Sequence, residues 1–256
     1  MSGTGPAGRD AEGPNHLADL AWPEVARRAA GSLLVVPLGA TEQHGPHLPG
    51  TVDTEVAVAL AVGLAAARPW VTVAPALPYG SSGEHAGFPG TLSIGPEAVE
   101  LVLVELARSA DAFAGVLVVS GHGGNAVPLR RAVGRLRREG RRAYAWAPAG
   151  TGHDSHAGRT ETSVMLALRP ASVRRAALRP GDRRPLAELM PVLRRDGVRA
   201  VSPSGVLGDP TGATADEGRG LLRQWTGQLV AAVDGWWPGP APDRSAPATP
   251  VVGRGA

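Results

Sequence analysis

The chain has 256 residues, of which 43% are hydrophobic and 4% aromatic, and it carries a formal net charge of +3. It contains no Cys, which excludes disulfides, zinc–thiolate sites and cysteine nucleophiles, so a bound metal must be held by imidazole and carboxylate groups. The pI of about 10.4 arises because every basic residue is Arg, which stays protonated above the pKa of Lys. It is weak support for nucleic-acid binding, and we predict no nucleic-acid partner.

The two ends of the chain differ in composition from its middle. Residues 1–16 are small and polar, and residues 238–256 are dominated by Pro, Gly and Ala, so we expect both segments to be disordered. The first residues contain no signal-peptide core, and no apolar run is as long as a membrane span. We therefore predict a single cytoplasmic domain over residues 17–237, with no membrane partner.

Apolar runs alternate with helical patterns through the middle of the chain. Strands are predicted at 33–38, 71–77, 116–120 and 142–147. Helices are predicted at 54–67, 96–113 and 126–139. This alternation indicates a three-layer α/β/α fold, with helices on both faces of a mostly parallel central sheet. Ligands of such sheets bind beyond the carboxyl ends of the strands, which is where the polar clusters of this chain lie.

The first polar cluster, residues 39–49, follows the first predicted strand, and Asp53 comes soon after it. Glu42 and His44 are two residues apart, so in an extended segment both side chains point the same way. Divalent metals favour such a mixture of carboxylate and imidazole. The alternative is a polar loop in which Asp53 is the N-cap of the following helix. For Asp53 alone, both interpretations stay open.

The second cluster, residues 120–125, lies directly between the third predicted strand and the third helix. Its glycines would let the backbone approach a ligand closely. A phosphate cradle at the helix N-terminus is the alternative, but neither G-x-G-x-x-G nor G-x-x-x-x-G-K-[ST] occurs. A lone His such as His122 is usually structural. Its expected position beside the first cluster favours a metal ligand instead.

The third cluster, residues 154–163, leads into a helix. Glu161 has apolar residues three, four and seven positions further on, which places it on the face that should be buried. An unpaired buried carboxylate is costly, so a cation or a metal is expected beside it. The alternative is a partly solvated carboxylate that the helix dipole stabilises. His156 precedes this helix and is a candidate proton carrier.

Two further features have simpler explanations. The arginines between positions 130 and 142 fall mainly outside the apolar stripe of the helix at 126–139, so we interpret them as a solvated face. The helix at 54–67 is apolar on nearly all sides, which indicates either deep burial or a subunit interface. The sequence does not separate these two possibilities.

Together these segments resemble the creatininase family. The matching segments, in the order of the family, are EQHGPHLP at 42–49, GEH at 83–85 with FPGT at 88–91, GHGGN at 121–125, HAG at 156–158 with ETS at 161–163, and GVLGDP at 205–210. They span most of the predicted domain. Within the family, the early WPE at 22–24 and the SSGEH at 81–85 resemble a subgroup of peptidases.

The resemblance implies a layered α/β/α fold and a homo-oligomer, often a hexamer. It also implies a dinuclear site for zinc, iron or manganese. Transferred by position, Glu42 and His122 would bind one metal and His44 the other, while Asp53 would bridge the two.

The chain also departs from the creatinine-cleaving members of the family. Those members carry an acidic ligand at the position of Gly124, which points to Glu161 as the replacement fifth ligand. They also have aromatic residues where this chain has Gly123 and Ser155. Creatinine itself is therefore not the expected substrate.

The resulting hypothesis is a metal-dependent hydrolase of a C–N amide bond. His156 would carry a proton to the leaving nitrogen, and Ser82, Glu84 and His85 would bind the substrate. The peptidase subgroup implies release of a C-terminal Val-Tyr dipeptide from a modified precursor peptide. The alternatives are hydrolysis of a small cyclic amide or formamide, and a non-catalytic scaffold subunit.

Overall fold

A computed structural model describes residues 15–149, 154–237 and 239–240. Its strands are β1 (Asn15–His16), β2 (Leu33–Leu38), β3 (Val71–Val73), β4 (Gly115–Ser120) and β5 (Ala143–Trp146). Its helices are α1 (Trp22–Arg28), α2 (Val52–Ala67), α3 (Pro96–Ser109), α4 (Ala126–Arg138), α5 (Arg159–Leu168), α6 (Leu186–Asp196), α7 (Val198–Val201) and α8 (Ala215–Trp236).

The ends that we expect to be disordered lie largely outside the described residues. Asn15 and His16, which are described, form the short strand β1 beside β3. None of the helices in the described ranges combines the length and the apolar character needed to cross a membrane.

The five strands form one parallel sheet in the order β1-β3-β2-β4-β5. From β2 the chain moves outward to β3, then crosses to the other side of β2 to form β4 and β5. The direction of winding therefore reverses between β2 and β4, and such a switch point leaves a crevice at the carboxyl edge of the sheet. Leu38 pairs with Ser120 at the end of this register, so the loops after β2 and β4 leave the sheet side by side.

Alternate strand residues point into two separate core layers. Leu33 and Val35 pack in the layer that includes α2, α5 and α8. Leu34 and Val36 pack on the opposite face in the layer of α3 and α4. The predicted three-layer α/β/α fold is confirmed. One long face of α2 is buried in the first layer, so deep burial accounts for most of its apolar character.

Several elements differ from the sequence-based predictions. The strand predicted at 71–77 ends at Val73, because Pro75 has no backbone N–H for the ladder. The chain rejoins the sheet only at a bridge between Leu38 and Leu77. The helix predicted to reach position 113 ends at Ser109. Helices α6 and α8 were not predicted, although α8 buries an apolar stripe of residues four apart: Trp225, Leu229 and Val233.

The arginine-rich helix α4 has the solvated face that its pattern predicts. Leu129, Ala132 and Leu136 are buried against the sheet. The arginines of α4 are exposed at positions 130, 131, 135, 137 and 138. The helix is therefore an ordinary amphipathic covering of the sheet.

Candidate metal centre and active site

The five predicted metal ligands lie together at the carboxyl edge of the sheet, beside the switch point. Glu42 and His44 are in the loop after β2, and His122 follows β4 directly. Asp53 lies in the first turn of α2 and Glu161 in the first turn of α5. The Glu161 side chain is 22% exposed, and the other four ligands are buried.

Asp53 stands at the centre of this cluster. Its Oδ1 lies 3.4 Å from His44 Nε2, and its Oδ2 lies 3.5 Å from His122 Nδ1. Glu42 Oε1 lies 3.3 Å from His122 Nδ1, and Glu161 Oε2 lies 3.7 Å from His44 Nε2. The cluster therefore consists of two groups that share Asp53. Thr51, not Asp53, is the N-cap residue of α2, which leaves both carboxylate oxygens of Asp53 directed into the cluster.

The spacing and the chemistry of these donor atoms fit divalent metals. Ligand atoms held about 2.0–2.1 Å from a tetrahedral zinc ion lie about 3.3–3.4 Å from one another, and the separations within the two groups are 3.3–3.7 Å. Both carboxylate oxygens of Glu42, together with His44 Nε2 and Asp53 Oδ2, are buried without a hydrogen-bond partner among the described residues. Buried polar atoms without partners are rare in folded proteins, and metal coordination would satisfy all four.

Backbone carbonyls fix the orientation of two ligand imidazoles. His44 Nδ1 lies 3.2 Å from the carbonyl oxygen of Glu42, and His122 Nε2 lies 3.0 Å from that of Ser81. A carbonyl oxygen can only accept a hydrogen bond, so each of these nitrogens carries the ring hydrogen. In their neutral forms, His44 and His122 therefore present the lone pairs of Nε2 and Nδ1 to the cluster, as metal ligation requires.

The charges within the cluster depend strongly on one another. Burial lowers the pKa of His44, but Asp53 and Glu161 outweigh it and raise that pKa to about 10. Burial also lowers the pKa of His122, which Glu42 and Asp53 raise to about 10. Burial raises the pKa of Glu161 to about 7. Carboxylates this close need compensating positive charge, which imidazolium ions or divalent cations can supply.

Two residues without a predicted role support the ligand loops. The Asn125 side chain donates to the carbonyl of Gly39 at 3.0 Å and accepts from the N–H of Ser81 at 2.9 Å, which joins three loops at the sheet edge. His47 Nε2 lies 2.9 Å from Thr162 Oγ1 and so ties the first loop to α5. Both belong to the segments that resemble the family, but their spacing alone does not indicate a supporting role.

The cluster of candidate metal ligands forms one side of a cavity of about 740 Å³. His156, Glu84 and His85 line it, and their contact with a substrate stays a prediction. Ser82 is fully buried, and its N–H donates to Ser93 Oγ at 2.9 Å. The predicted contact between Ser82 and a substrate stays a prediction.

Helices α6 and α7 form the roof of this cavity. The apolar lining of the roof comes from Leu186, Met190, Leu193 and Val198, and Arg194 adds a positive charge. Gly197 joins the two helices with φ +78°, and a Cβ there would lie 2.7 Å from the carbonyl oxygen of Glu84. The roof therefore sits directly on the segment that carries Glu84 and His85.

His156 and His85 approach the cluster from the cavity side. His156 Nδ1 lies 3.7 Å and His85 Nε2 lies 3.4 Å from Glu42 Oε1. Burial lowers the pKa of His85 to about 4 and holds the pKa of His156 well below its usual value. Both rings are therefore neutral at physiological pH, and each has one hydrogen and one lone pair to offer.

Comparisons with known proteins identify the family of this chain. The creatininase family model, described as creatinine amidohydrolase, matches residues 18–233. The chain belongs to the creatininase family. Over 219 residues it is 52% identical to the mycofactocin precursor peptide peptidase of Mycobacterium tuberculosis H37Rv. The aligned region covers 81% of this chain and 86% of the relative. It is 30% identical over 243 residues to the creatinine amidohydrolase of Pseudomonas putida, covering 80% of this chain and 91% of the relative.

Solved structures of creatininase have the same fold. A crystal structure of creatinine amidohydrolase matches with a TM-score of 0.75 at 24% identity, over 88% of this chain and 98% of that chain. A creatininase mutant complexed with creatine matches with a TM-score of 0.76 at 24% identity, over 89% and 100% of the two chains. Related structures are described as a manganese form and a zinc–zinc form of creatininase. The predicted family and its fold are confirmed.

A side chain at position 124 would overlap its neighbours in this chain. A Cβ at that position would lie 2.3 Å from His122 Nε2 and 2.6 Å from Glu84 Oε1. The Glu84 carboxylate, 3.6 Å from His122 Nε2, therefore occupies the space that a side chain at position 124 would need. Glu161 instead completes the group around His44 from the other side of the cluster.

Proposed function

We propose that this protein is a divalent-metal-dependent peptidase that releases a C-terminal Val-Tyr dipeptide from the modified mycofactocin precursor peptide. The observation that carries the proposal is the pair of ligand groups sharing Asp53, which opens onto a cavity large enough for a dipeptide. The identity of about half the residues to curated mycofactocin precursor peptide peptidases supports the choice of substrate. We further propose that it acts in the cytoplasm as a homo-oligomer such as a hexamer.

The proposed cofactor is a pair of divalent ions, either zinc, iron or manganese. Glu42 and His122 would hold one ion, His44 and Glu161 the other, and Asp53 would contact both. Bound there, such ions would polarise an amide carbonyl and lower the pKa of a water to about 7. Imidazole and carboxylate donors suit all three metals, so the native metal is a question for elemental analysis of the purified protein.

The cavity suits the end of a peptide better than a small ring. Its volume of about 740 Å³ lies within the range of about 300–1,000 Å³ that is usual for sites of drug-sized ligands. The apolar roof residues Leu186, Met190 and Leu193 can cover an aromatic side chain. Arg194 on the same roof offers a positive charge to a terminal carboxylate.

His156 is placed to move the proton during amide cleavage. Its Nε2 lies 2.7 Å from the carbonyl oxygen of Gln43, so Nε2 carries the hydrogen and Nδ1 faces the cluster with a free lone pair. Nδ1 can therefore accept a proton from the attacking water and pass it to the leaving nitrogen.

The variant His156→Ala tests this role. We expect it to retain the metal content of the wild type, because the two ligand groups do not need His156, and to lose about 10²–10⁴-fold in turnover. Elemental analysis and peptide hydrolysis measured on the same preparation check the two statements. A variant that loses its metal would show that His156 is a ligand instead.

The proposed reaction is tested with a synthetic peptide that ends in Val-Tyr. We expect the metal-loaded protein to release the dipeptide and the chelator-treated protein to release none, with mass spectrometry as the readout. Hydrolysis of a cyclic amide or formamide without peptide cleavage would support the alternative shared with the Pseudomonas putida relative. A protein that holds no stoichiometric metal and cleaves neither substrate would be a scaffold subunit.

A further inference from the structure

Four imidazoles lie in or beside the cluster of candidate metal ligands, and the ring of His85 is held differently from the other three. Backbone carbonyls accept hydrogen bonds from the outer ring nitrogens of His44, His122 and His156. In their neutral forms these three rings therefore turn lone pairs toward the cluster. The outer nitrogen of His85, Nδ1, faces no carbonyl but the side-chain amide of Gln43, whose Nε2 lies 2.9 Å away.

The orientation of the Gln43 amide is fixed by two backbone groups. The N–H of Gly45, which can only donate, lies 2.8 Å from Gln43 Oε1. The carbonyl oxygen of Gly205, which can only accept, lies 3.2 Å from Gln43 Nε2. Exchanging the amide oxygen and nitrogen would break both bonds. The close approach requires glycine at position 205, because a Cβ there would lie 1.9 Å from Gln43 Oε1. The φ of +79° at Gly205 also favours glycine.

The two hydrogens of Gln43 Nε2 have three neighbours within hydrogen-bonding distance. Besides His85 Nδ1 and the Gly205 carbonyl, His156 Nε2 lies 3.0 Å away. His156 Nε2 already donates to the Gln43 carbonyl oxygen at 2.7 Å, so in a neutral ring it cannot also accept. The two amide hydrogens therefore go to His85 and Gly205, and every backbone group in the set is satisfied.

We propose that Gln43 locks His85 in the tautomer that carries its hydrogen on Nε2, so that His85 donates a hydrogen bond into the cavity instead of binding metal. His85 is then a catalytic residue that donates to the oxygen of the scissile carbonyl, and Gln43 is its positioning residue. The proposal rests on the proposed amide hydrolysis and assigns His85 a role in it that is more specific than substrate binding.

The position of His85 Nε2 suits this role. It lies 3.4 Å from Glu42 Oε1, at the edge of the cluster, yet that oxygen has no hydrogen-bond partner within the part of the chain that the structure describes. The N–H therefore remains available to a substrate in the cavity, which His85 lines. A preorganised donor beside the carbonyl oxygen stabilises the negative charge that develops on it during attack by water.

The tautomer can be measured without any substrate. We expect nitrogen-15 NMR of the zinc-loaded protein, labelled at histidine, to show His85 with a hydrogen-bearing Nε2 and a bare Nδ1. In Gln43→Glu the carboxylate can only accept from His85, so the hydrogen should move to Nδ1. Gln224→Glu, which adds the same charge on the exposed side of α8, is the matched control and should leave the His85 signals unchanged.

Two substitutions of His85 test the donor itself. His85→Gln places an amide nitrogen near the position of Nε2, and we expect it to keep turnover within about tenfold of the wild type, with bound zinc unchanged. His85→Leu removes the donor and should lose about 10²–10³-fold in turnover at unchanged zinc content.

Three results would overturn the proposal. They are an Nδ1–H tautomer in the zinc-loaded wild type, loss of zinc from His85→Leu, and wild-type turnover in His85→Leu. If the wild type itself cleaves no Val-Tyr peptide, the proposed substrate is wrong, and the NMR measurement still decides the tautomer.

Discussion

Asp53→Ala should abolish activity and remove most of the bound metal. Asp53 places one carboxylate oxygen beside each of the two candidate ligand groups, with Oδ1 beside His44 and Oδ2 beside His122. Loss of one preorganised electrostatic side chain typically costs about 10²–10³ in turnover. Asp53→Ala removes a carboxylate that lies beside both sets of candidate ligands. We therefore expect turnover to fall by at least about 10³ and metal content to fall below half of the wild-type value.

A matched control lies on the same helix. Glu55 is two residues further along α2 and pairs with Arg169 at the surface, so Glu55→Ala removes a carboxylate from the same helical turn without touching the cluster. Such a surface ion pair contributes about 0–1 kcal/mol, and Glu55→Ala should keep its metal and its activity. Full activity in both Asp53→Ala and His44→Ala would refute the metal centre itself.

The sequence predicted that these candidate ligands lie together because their positions follow from local patterns, and their role as metal ligands stays a prediction. Glu42, His44 and His122 each follow a buried strand, and the loops after neighbouring parallel strands meet at one edge of the sheet. Glu161 was identified by its position on the apolar face of a helix, and it lies beside His44. The shared role of Asp53 came only from the resemblance, because a carboxylate near a helix start is also typical of an N-cap.

The roof of the cavity and the support of the histidines could not be predicted in this way. Gln43 and Gly205 are 162 residues apart in the chain, and His47 and Thr162 are 115 apart. Apolar periodicity reports which face of a helix is buried, but it does not report which distant residues will meet. The tautomer of His85 depends on such distant contacts and becomes visible only in the folded structure.

Gly121→Ala should disrupt the metal centre although Gly121 touches no metal. It follows β4 directly, and a Cβ there would lie 2.0 Å from the carbonyl oxygen of Asp53 and 2.8 Å from its carbonyl carbon. Both partners are backbone, so no side-chain rotation relieves the overlap, and the first turn of α2 must move. Overpacking of this kind costs about 1–3 kcal/mol, which corresponds to a fall of about 2–12 °C in Tm for a domain of this size.

The same displacement would carry the Asp53 carboxylate away from His44 and His122. We therefore expect Gly121→Ala to lose metal as well as thermal stability, as measured by elemental analysis and by melting with and without added zinc. Gly123→Ala is the matched control, because a Cβ there meets nothing within 4 Å, and its Tm and metal content should equal those of the wild type. If Gly121→Ala instead kept the Tm and the metal content of the wild type, the close approach of Gly121 to the Asp53 backbone would not be what positions the Asp53 carboxylate.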